Sequence, residues 1–401
     1  MNMYTLSTCT QGQKAKPLGK RLMVPIYALP DHEVVGRLLP GRFDALVPDD
    51  LAVERVRTAP GLIPAAIEPD QSVEGGGRVY WVDIGTHPYR DWQHLFTIER
   101  LAQAEMIETA FATSMAVLQV EDLIPNALTP SGFIFHTSRC GSTLMGKALA
   151  RVPEHCVVNQ GGPLQRGFWA ALTDEWSRDL PDDASSVQMF RNLVFALTRP
   201  RLGTETTSFV KFISWNTLYL DFIAGAFPEV HSLFLFRDPL EVIASVIKET
   251  TAVLVAKDWP QASFLSAKTQ DEVHKMDDVT YLAHCYDNYF KVILESSLAN
   301  VKALDYHNLK SGTFGEVLKS GFAFAPDEQV IAEMCTQFRF HSKDDSDTST
   351  FQSDRSVKQA AIAAEDRIRI ERITAAQLGS LQAASKTLFG DEISGSRGAV
   401  Y

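Results

Sequence analysis

Between residues 132 and 306 the chain alternates short apolar runs with longer segments of helical periodicity. The runs are GFIFHT (132–137), HCVVN (155–159), SFVKF (208–212), HSLFLF (231–236) and NVKALDY (300–306). Runs of about five residues are typical of buried parallel strands. Alternation of strands and helices favours right-handed crossovers with helices on both faces of one sheet. The pattern therefore predicts a three-layer α/β domain around a parallel sheet of about five strands.

The N-terminal region follows a different pattern. RVYWVDI (78–84) predicts a strand, and Asp91 is a candidate cap for a helix that follows. The apolar stripe of that helix begins at Trp92, and we expect helical periodicity to continue through 110–115. The Pro, Gly and Ser residues of NALTPSG (126–132) indicate a linker. Residues 1–128 are therefore predicted to form an accessory α+β region.

The C-terminal region is predicted to be helical. Its apolar positions, within a tail of about 355–389, indicate one or two helices; they include Ile370, Ile373, Leu378 and Leu381. The predicted organisation is an accessory region over 1–128, a central domain over 129–354 and a helical C-terminal cap over 355–401.

Composition narrows the classes of function. The chain has 401 residues, 38 basic and 49 acidic, and its net charge of −11 disfavours nonspecific binding to nucleic acid or anionic membranes. The five cysteines are scattered without a CxxC pair, which argues against a zinc knuckle or a disulfide framework. The N-terminus lacks an apolar signal region, and no stretch approaches the length of a membrane span. We expect a cytoplasmic protein whose anion sites are local clusters.

The segment FIFHTSRCGSTLMGKALAR (133–151) predicts a strand, a tight loop and a helix that begins near Ser142. The first N–H groups of such a helix are unpaired, and with the helix dipole they form a site for phosphate or sulfate. Arg139 adds a positive charge, and Gly141 allows close approach of the backbone. The hydroxyls of Ser142 and Thr143 add donors.

Other interpretations of this loop remain open. Residues 141–147 spell G-x-x-x-x-G-K, but Ala148 stands where a Walker A motif needs Ser or Thr. The apolar spacing also places Gly146 and Lys147 inside the helix. A cysteine phosphatase needs Arg six residues after the nucleophile, and Gly146 occupies that position after Cys140. Cys140 is instead expected to be a packed bystander, although a helix start can lower a thiol pKa.

The second strand–helix junction is LFLFRDPLEVIASVIKE (233–249). Asp238 fits the N-cap position of the helix and Pro239 its first turn. Ser245 lies nearly two turns after Asp238, so both point the same way, and Arg237 leaves the strand toward that side. A cation and a hydroxyl can thus converge on one phosphate. The buried stripe is predicted to be Leu240, Ile243, Ala244 and Ile247.

Together the two junctions resemble the sulfotransferases that use 3′-phosphoadenosine-5′-phosphosulfate (PAPS). The first resembles the family's 5′-phosphosulfate loop, through Arg139, Cys140, Gly141, Ser142 and Thr143. Arg237-Asp238-Pro239, with Ser245 eight residues after the arginine, resembles the family's 3′-phosphate motif. VKALDYHNL (301–309) resembles the strand and Tyr-x-x-Leu turn near the domain end. The stretch from Lys343 to Lys358 resembles the family's C-terminal loop that closes over the nucleotide, and this resemblance implies that Arg355 and Lys358 can reach the 3′-phosphate.

The resemblance covers roughly residues 130–360 and implies a P-loop-like domain with PAPS as co-substrate and no metal ion. The implied reaction moves a sulfuryl group to a hydroxyl or amine of a small-molecule acceptor. Arg139 and Lys211 would balance charge on the leaving phosphate. The residues expected to bind PAPS are Arg139, Cys140, Gly141, Ser142, Thr143, Arg237, Ser245, Arg355 and Lys358.

The sequence departs from the family pattern at the general base. Bacterial relatives often have Glu in a Ser-Glu-Pro-like stretch after the second strand, where this chain has Gln160. His136, another His or Asp from the N-terminal region, or an acceptor that needs no base could fill the role. Two other functions remain open: a P-loop kinase or NTPase that uses Mg²⁺-ATP, and a nucleotide-binding relative without sulfuryl transfer. The sequence leaves the acceptor and the oligomeric state undetermined.

Overall fold

The structure is a computed structural model, and it describes residues 29–342 and 362–389. The strands are β1 (Leu62–Pro69), β2 (Gly77–Asp83), β3 (Ala110–Ser114), β4 (Gly132–His136), β5 (His155–Asn159), β6 (Thr207–Lys211), β7 (Ser232–Phe236) and β8 (Val301–Asp305). The first helices are α1 (Asp31–Leu38), α2 (Asp49–Thr58), α3 (His94–Gln103), α4 (Ser142–Leu149), α5 (Gly162–Gln165), α6 (Gly167–Thr173), α7 (Ala184–Thr198) and α8 (Leu220–Ala226). They are followed by α9 (Pro239–Lys248), α10 (Ala252–Val255), α11 (Ala262–Ser266), α12 (Gln270–Lys275), α13 (Asp278–Glu295), α14 (Phe314–Phe322), α15 (Glu328–Cys335) and α16 (Ala364–Phe389).

Five of the strands form one sheet in the order β5-β6-β4-β7-β8. The pairing of β4 with β7 is parallel, with Phe133 opposite Ser232, and that of β7 with β8 is parallel as well. Each of the five predicted apolar runs forms one strand of this sheet, and β4 and β7 are buried along their whole length. The predicted α/β fold with a five-stranded parallel sheet is confirmed.

The strand order places a switch point at β4. The chain leaves β4 to form β5 and β6 on one side and then returns to form β7 on the other. In open α/β sheets, ligands bind beyond the carboxyl ends of the strands at such a point, because neighbouring connections diverge there and leave a crevice. The crevice expected here is bordered by the segments that follow β4 and β7, which are the two predicted anion motifs.

One compact unit comprises residues 29–130 and 153–210. Its three-stranded antiparallel sheet has the order β1-β2-β3 and pairs Leu62 with Asp83 and Val82 with Ala110. The indole of Trp81 is buried, and its Nε1 donates to Thr113 Oγ1 at 3.0 Å. This sheet and its helices confirm the predicted α+β character of the N-terminal region.

Two local expectations in this unit are wrong. Residues 110–114 form β3 and do not continue a helix, because pairing with β2 overrides a short apolar pattern that fits either structure. Asp91 does not cap α3, which begins three residues later at His94. The Asp91 carboxylate instead accepts hydrogen bonds from Thr97 Oγ1 at 2.6 Å and from Arg100 Nη2 at 3.0 Å.

The other compact unit comprises residues 131–152, 211–342 and 362–389. Its C-terminal helix α16 packs along α13 and against β8, with Ile370 and Leu381 fully buried. Ser385 Oγ accepts the Asp305 N–H at 2.9 Å, which fixes α16 to the end of β8. The predicted helical cap is thus confirmed as one helix over 364–389. The domain boundaries at 128/129 and 354/355 stay predictions, and the second lies outside the described residues.

None of the helices within residues 29–342 and 362–389 combines the length and the apolar character that a membrane crossing needs.

Candidate functional site

The loop after β4 has an unusual backbone. Ser138, Arg139 and Gly141 have φ angles of 68°, 51° and 85°. Glycine adopts this left-handed region without strain, but Ser and Arg do so at a cost, and such strain concentrates at functional sites. Left-handed residues also turn backbone N–H groups into an anion-binding concavity. The loop therefore has the backbone expected of an anion site.

Helix α4 continues this arrangement of donors. Its first internal hydrogen bond runs from Met145 N–H to the Gly141 carbonyl at 3.0 Å, so the amides of 142–144 precede the bonded turns. The predicted apolar stripe is confirmed, with each of its members buried: Met145, Ala148, Leu149 and Val152. Lys147 lies within the helix, as the spacing predicted, and its side chain is buried. A Walker A lysine would lie at the N-terminus of the helix. The position of Lys147 therefore argues against the alternative of a kinase or NTPase that uses Mg²⁺-ATP.

The second junction has the predicted capping geometry. Asp238 is the N-cap of α9, and its carboxylate accepts the Leu240 N–H at 2.9 Å, while Pro239 occupies the first helical position. Leu240, Ile243 and Ala244 are buried as expected. The remaining predicted stripe member, Ile247, is 45% exposed. The reason is that α9 is buried on all sides through residue 246 and then emerges, so a one-sided stripe does not describe it.

The two junctions contact each other directly. Arg139 Nε donates to Ser245 Oγ at 2.7 Å, which joins the first loop to α9. Arg237 Nη1 donates to the Arg139 carbonyl at 3.5 Å, which joins the end of β7 to the same loop. Two guanidinium groups and a serine hydroxyl therefore share one cluster beyond the ends of β4 and β7. Such a cluster can bind more than one anionic group of a single ligand.

Each arginine has a carboxylate partner that the sequence reasoning missed. Arg139 Nη2 lies 2.5 Å from Glu249 Oε2, and both side chains are partly exposed. Arg237 Nε donates to Glu241 Oε2 at 2.6 Å, and the Glu241 side chain is fully buried. Arg237 precedes the N-cap of α9, so the i, i+4 rule for helices does not cover this pair and the sequence held no signal for it.

Tyr306 is a further residue of the cluster. Its ring centroid lies 4.6 Å from the guanidinium carbon of Arg237, a distance typical of cation–π contact. A Cβ atom at Gly141 would lie 2.8 Å from Cδ2 of the same ring and 3.1 Å from a methyl of Leu309. Tyr306 thus touches both anion motifs. The Tyr-x-x-Leu resemblance was the signal for it, but gave it no role at the site.

Two other residues that the sequence analysis assigned to the site, Cys140 and Lys211, are fully buried in this unit. Cys140 Sγ donates to the Leu235 carbonyl at 3.2 Å, and burial raises the pKa of its thiol. Cys140 is therefore a neutral packed thiol, as expected of a bystander. Lys211 ends β6 with its side chain buried, and its charge acts on the neighbouring His136 ring.

His136 has a defined role in holding the loop. Its Nδ1 accepts the Ser138 N–H at 2.8 Å. Burial, and then the charge of Lys211, lower the pKa of His136 well below its ordinary value. The ring is therefore neutral, and with Nδ1 accepting, its proton is on Nε2. The assignment of His136 as a general base stays a prediction, and the nitrogen with a lone pair is already engaged.

Replacing His136 by Asn separates these two roles. An Asn oxygen can take the place of Nδ1 as acceptor for the Ser138 amide but cannot act as a base. If the ring only positions the loop, kcat of H136N should stay within about ten-fold of wild type, and H136L should lose affinity for the nucleotide. A loss of kcat of about 10²-fold or more in H136N, with KM unchanged, would identify His136 as the base. Steady-state kinetics with PAPS, the donor that the sequence resemblance implies, distinguishes the results.

The remaining predicted positions lie elsewhere. Gln160 follows β5 in the other unit, has a φ of 52° and accepts a hydrogen bond from Gln93 Nε2 at 2.6 Å. Its amide is neutral and held by a second amide, so it supplies no base. Arg355 and Lys358 lie outside the described residues.

Comparisons with known proteins give similarity only at the level of structure. No family model and no curated protein matches the chain. The sulfotransferase STF9 of Mycobacterium avium is similar at 13% identity, over 85% of this chain and 98% of that one, with a TM-score of 0.41. The sulfotransferase STF1 of Mycobacterium tuberculosis is similar at 12% identity, over 84% and 96%, with a TM-score of 0.39. The sulfotransferase domain of the Synechococcus PCC 7002 olefin synthase shares 15% identity over 63% and 96%, with a TM-score of 0.36.

These solved structures carry the family name that the sequence motifs predicted. The similarities are low, so the site's own residues must indicate its chemistry.

Proposed function

We propose that this protein is a PAPS-dependent sulfotransferase that transfers a sulfuryl group to a hydroxyl or amine of a small-molecule acceptor. One observation carries the proposal: the hydrogen bond from Arg139 to Ser245 unites the two anion motifs in one cluster. A ligand that suits this cluster has anionic groups at two separated positions. PAPS has this property, with a 5′-phosphosulfate and a 3′-phosphate.

Each motif has a distinct binding role in this proposal. The amides of 142–144, the hydroxyls of Ser142 and Thr143, and Arg139 hold the 5′-phosphosulfate at the mouth of α4. Cys140 and Gly141 contribute the loop backbone. Arg237, which precedes α9, and Ser245, within α9, hold the 3′-phosphate. Arg355 and Lys358 are assigned to the same phosphate by resemblance alone.

The chemistry requires stabilisation of a leaving group. The acceptor oxygen or nitrogen bonds to sulfur while the bond from sulfur to the phosphate oxygen breaks, leaving adenosine 3′,5′-bisphosphate (PAP). Negative charge grows on that oxygen, and preorganised donors lower the barrier most effectively where charge develops. Arg139, Lys211 and the α4 amides are the groups proposed to do so. The acceptor loses a proton, and His136 is the predicted base tested by H136N.

Calorimetry with PAP tests the binding site. We expect R139A to weaken PAP binding by about 1.5–3 kcal/mol, the contribution of a hydrogen bond to a charged group. R151A is the matched control, because Arg151 lies beyond the opposite end of α4 and donates to Gln337 at 2.9 Å. R151A should bind PAP like the wild type.

The same experiment can contradict the proposal. Equal PAP affinity in wild type and R139A would reject the assigned site. Binding of Mg²⁺-ATP in preference to PAP would favour the kinase or NTPase alternative. Tight PAP binding without PAP release from PAPS, across phenol, alcohol and amine acceptors, would favour a relative without sulfuryl transfer.

A further inference from the structure

Glu249 occupies one edge of the Arg139 guanidinium. Nη2 of Arg139 lies 2.5 Å from the Glu249 carboxylate, while Nε of the same group donates to Ser245. Arginine binds a phosphate by presenting two N–H groups along one edge of its planar fork. In this structure a carboxylate and a hydroxyl of the chain itself take such an edge. A phosphate that binds along this edge must displace the Glu249 carboxylate, which carries the same sign of charge.

The other carboxylate of the cluster has a different environment. Glu241 is fully buried in the first turn of α9, where it holds Arg237 against the ring of Tyr306. Glu249 follows Lys248, the last residue of α9, and its backbone has left the helical conformation. Its side chain is 25% exposed, against 0% for Glu241. A carboxylate at a helix end and at the surface can rotate away, whereas moving Glu241 would strand a buried charge.

We infer that Glu249 is a built-in competitor that lowers the affinity of Arg139 for its anionic ligand, and this inference rests on the proposed function. The Glu249 carboxylate holds the edge of Arg139 until a phosphate group displaces it. The measured affinity is then the intrinsic affinity multiplied by the fraction of molecules in which the edge is open. The same fraction multiplies the affinity of every ligand that needs this edge, so Glu249 sets how tightly such ligands bind and not which of them is preferred.

The substitution E249Q tests this inference. Glutamine keeps the size of the side chain and removes the charge that competes with phosphate. We expect E249Q to bind PAP about five-fold more tightly than wild type at low ionic strength, as a partly exposed ion pair contributes modestly. The gain should shrink at high ionic strength, because salt screens exposed pairs. Calorimetry at both salt concentrations measures the effect.

Two matched variants make the result specific. E333Q removes the same charge from an exposed position of α15, and it should leave PAP affinity unchanged. E241Q removes the charge of the buried carboxylate and should give no tightening, because Arg237 loses the partner that positions it. E249D keeps the charge but shortens the side chain by one methylene, and it should tighten binding less than E249Q does.

The outcomes distinguish this inference from the proposed function. PAP affinity in E249Q that equals or falls below the wild-type value, while R139A weakens binding, would overturn the inference and make Glu249 a support for Arg139. Equal tightening in E249Q and E333Q would also overturn it, since net charge alone would then explain the gain. Failure of wild type and E249Q alike to bind PAP would overturn the proposed function, and the inference with it.

Discussion

Replacing Arg237 by Leu should abolish measurable PAP binding and lower the free energy of unfolding by about 3–5 kcal/mol. The stability loss follows from Glu241, whose fully buried carboxylate would lose its guanidinium partner, and an uncompensated buried charge is strongly destabilising. The binding loss follows from the proposed role of Arg237 at the 3′-phosphate. A single substitution therefore confounds two effects that a second substitution can separate.

The double variant R237L/E241L removes both charges. Replacing a buried ion pair by apolar residues of similar volume is often neutral or stabilising, so we expect its unfolding free energy to return close to the wild-type value. PAP binding should stay absent, because the Arg237 guanidinium assigned to the 3′-phosphate is still missing. Denaturant unfolding measures stability, and calorimetry measures binding. A stable double variant that binds PAP with wild-type affinity would show that Arg237 holds Glu241 and not the nucleotide.

The parts of the site that could be predicted are those specified by local sequence. Gly141 at the loop, Asp238 at the N-cap and Pro239 in the first turn act within a few residues of their own position. Each therefore marks the end of a strand and the start of a helix without knowledge of the remaining fold. The five apolar runs gave the strands of the parallel sheet for a similar reason, since burial on both faces leaves a continuous apolar signal.

Burial in three dimensions explains what sequence reasoning missed. Periodicity assigns a charged residue such as Glu241 to the solvent face of a helix, but α9 is buried on all sides at that position. The buried carboxylate of Glu241 is tolerated there because it forms an ion pair with the guanidinium of Arg237. In the N-terminal region β1 contains Pro64 and Pro69, and prolines within an apolar run argue against a strand. The pairing of β1 with β2 accommodates both, because Pro64 lies where the register is irregular and Pro69 lies at the strand end.

The position of Tyr306 depends on a long-range pairing. Tyr306 directly follows β8, whose residue Asp305 pairs with Phe236 at the end of β7. This register sets Tyr306 beside Arg237, the residue after Phe236, and brings its ring to Gly141. Neither anion motif contains information about that register, because it is formed by residues far apart in the chain. The ring's position next to the glycine also explains why the loop must have glycine there.

Replacing Gly141 by Ala should lower the free energy of unfolding by about 2–5 kcal/mol and PAP affinity by at least about ten-fold. Two costs combine in stability: a left-handed conformation costs a non-glycine residue about 1–2 kcal/mol, and overpacking adds about 1–3 kcal/mol. Gly141 has a φ of 85°, and its new Cβ would lie 2.8 Å from the ring of Tyr306. Relief of the clash must move the loop, which carries groups assigned to the nucleotide, or the ring, which packs against Arg237.

G225A is the control for this substitution. A Cβ at Gly225 in α8 meets no atom within 4 Å, so alanine should be neutral or stabilising by up to about 1 kcal/mol in a helix. Its PAP affinity should equal that of wild type. A G141A protein that loses stability but keeps full PAP affinity would mean that the glycine serves packing against Tyr306 alone. Because the proposed loop binds through backbone amides, its affinity must instead fall when the backbone is displaced.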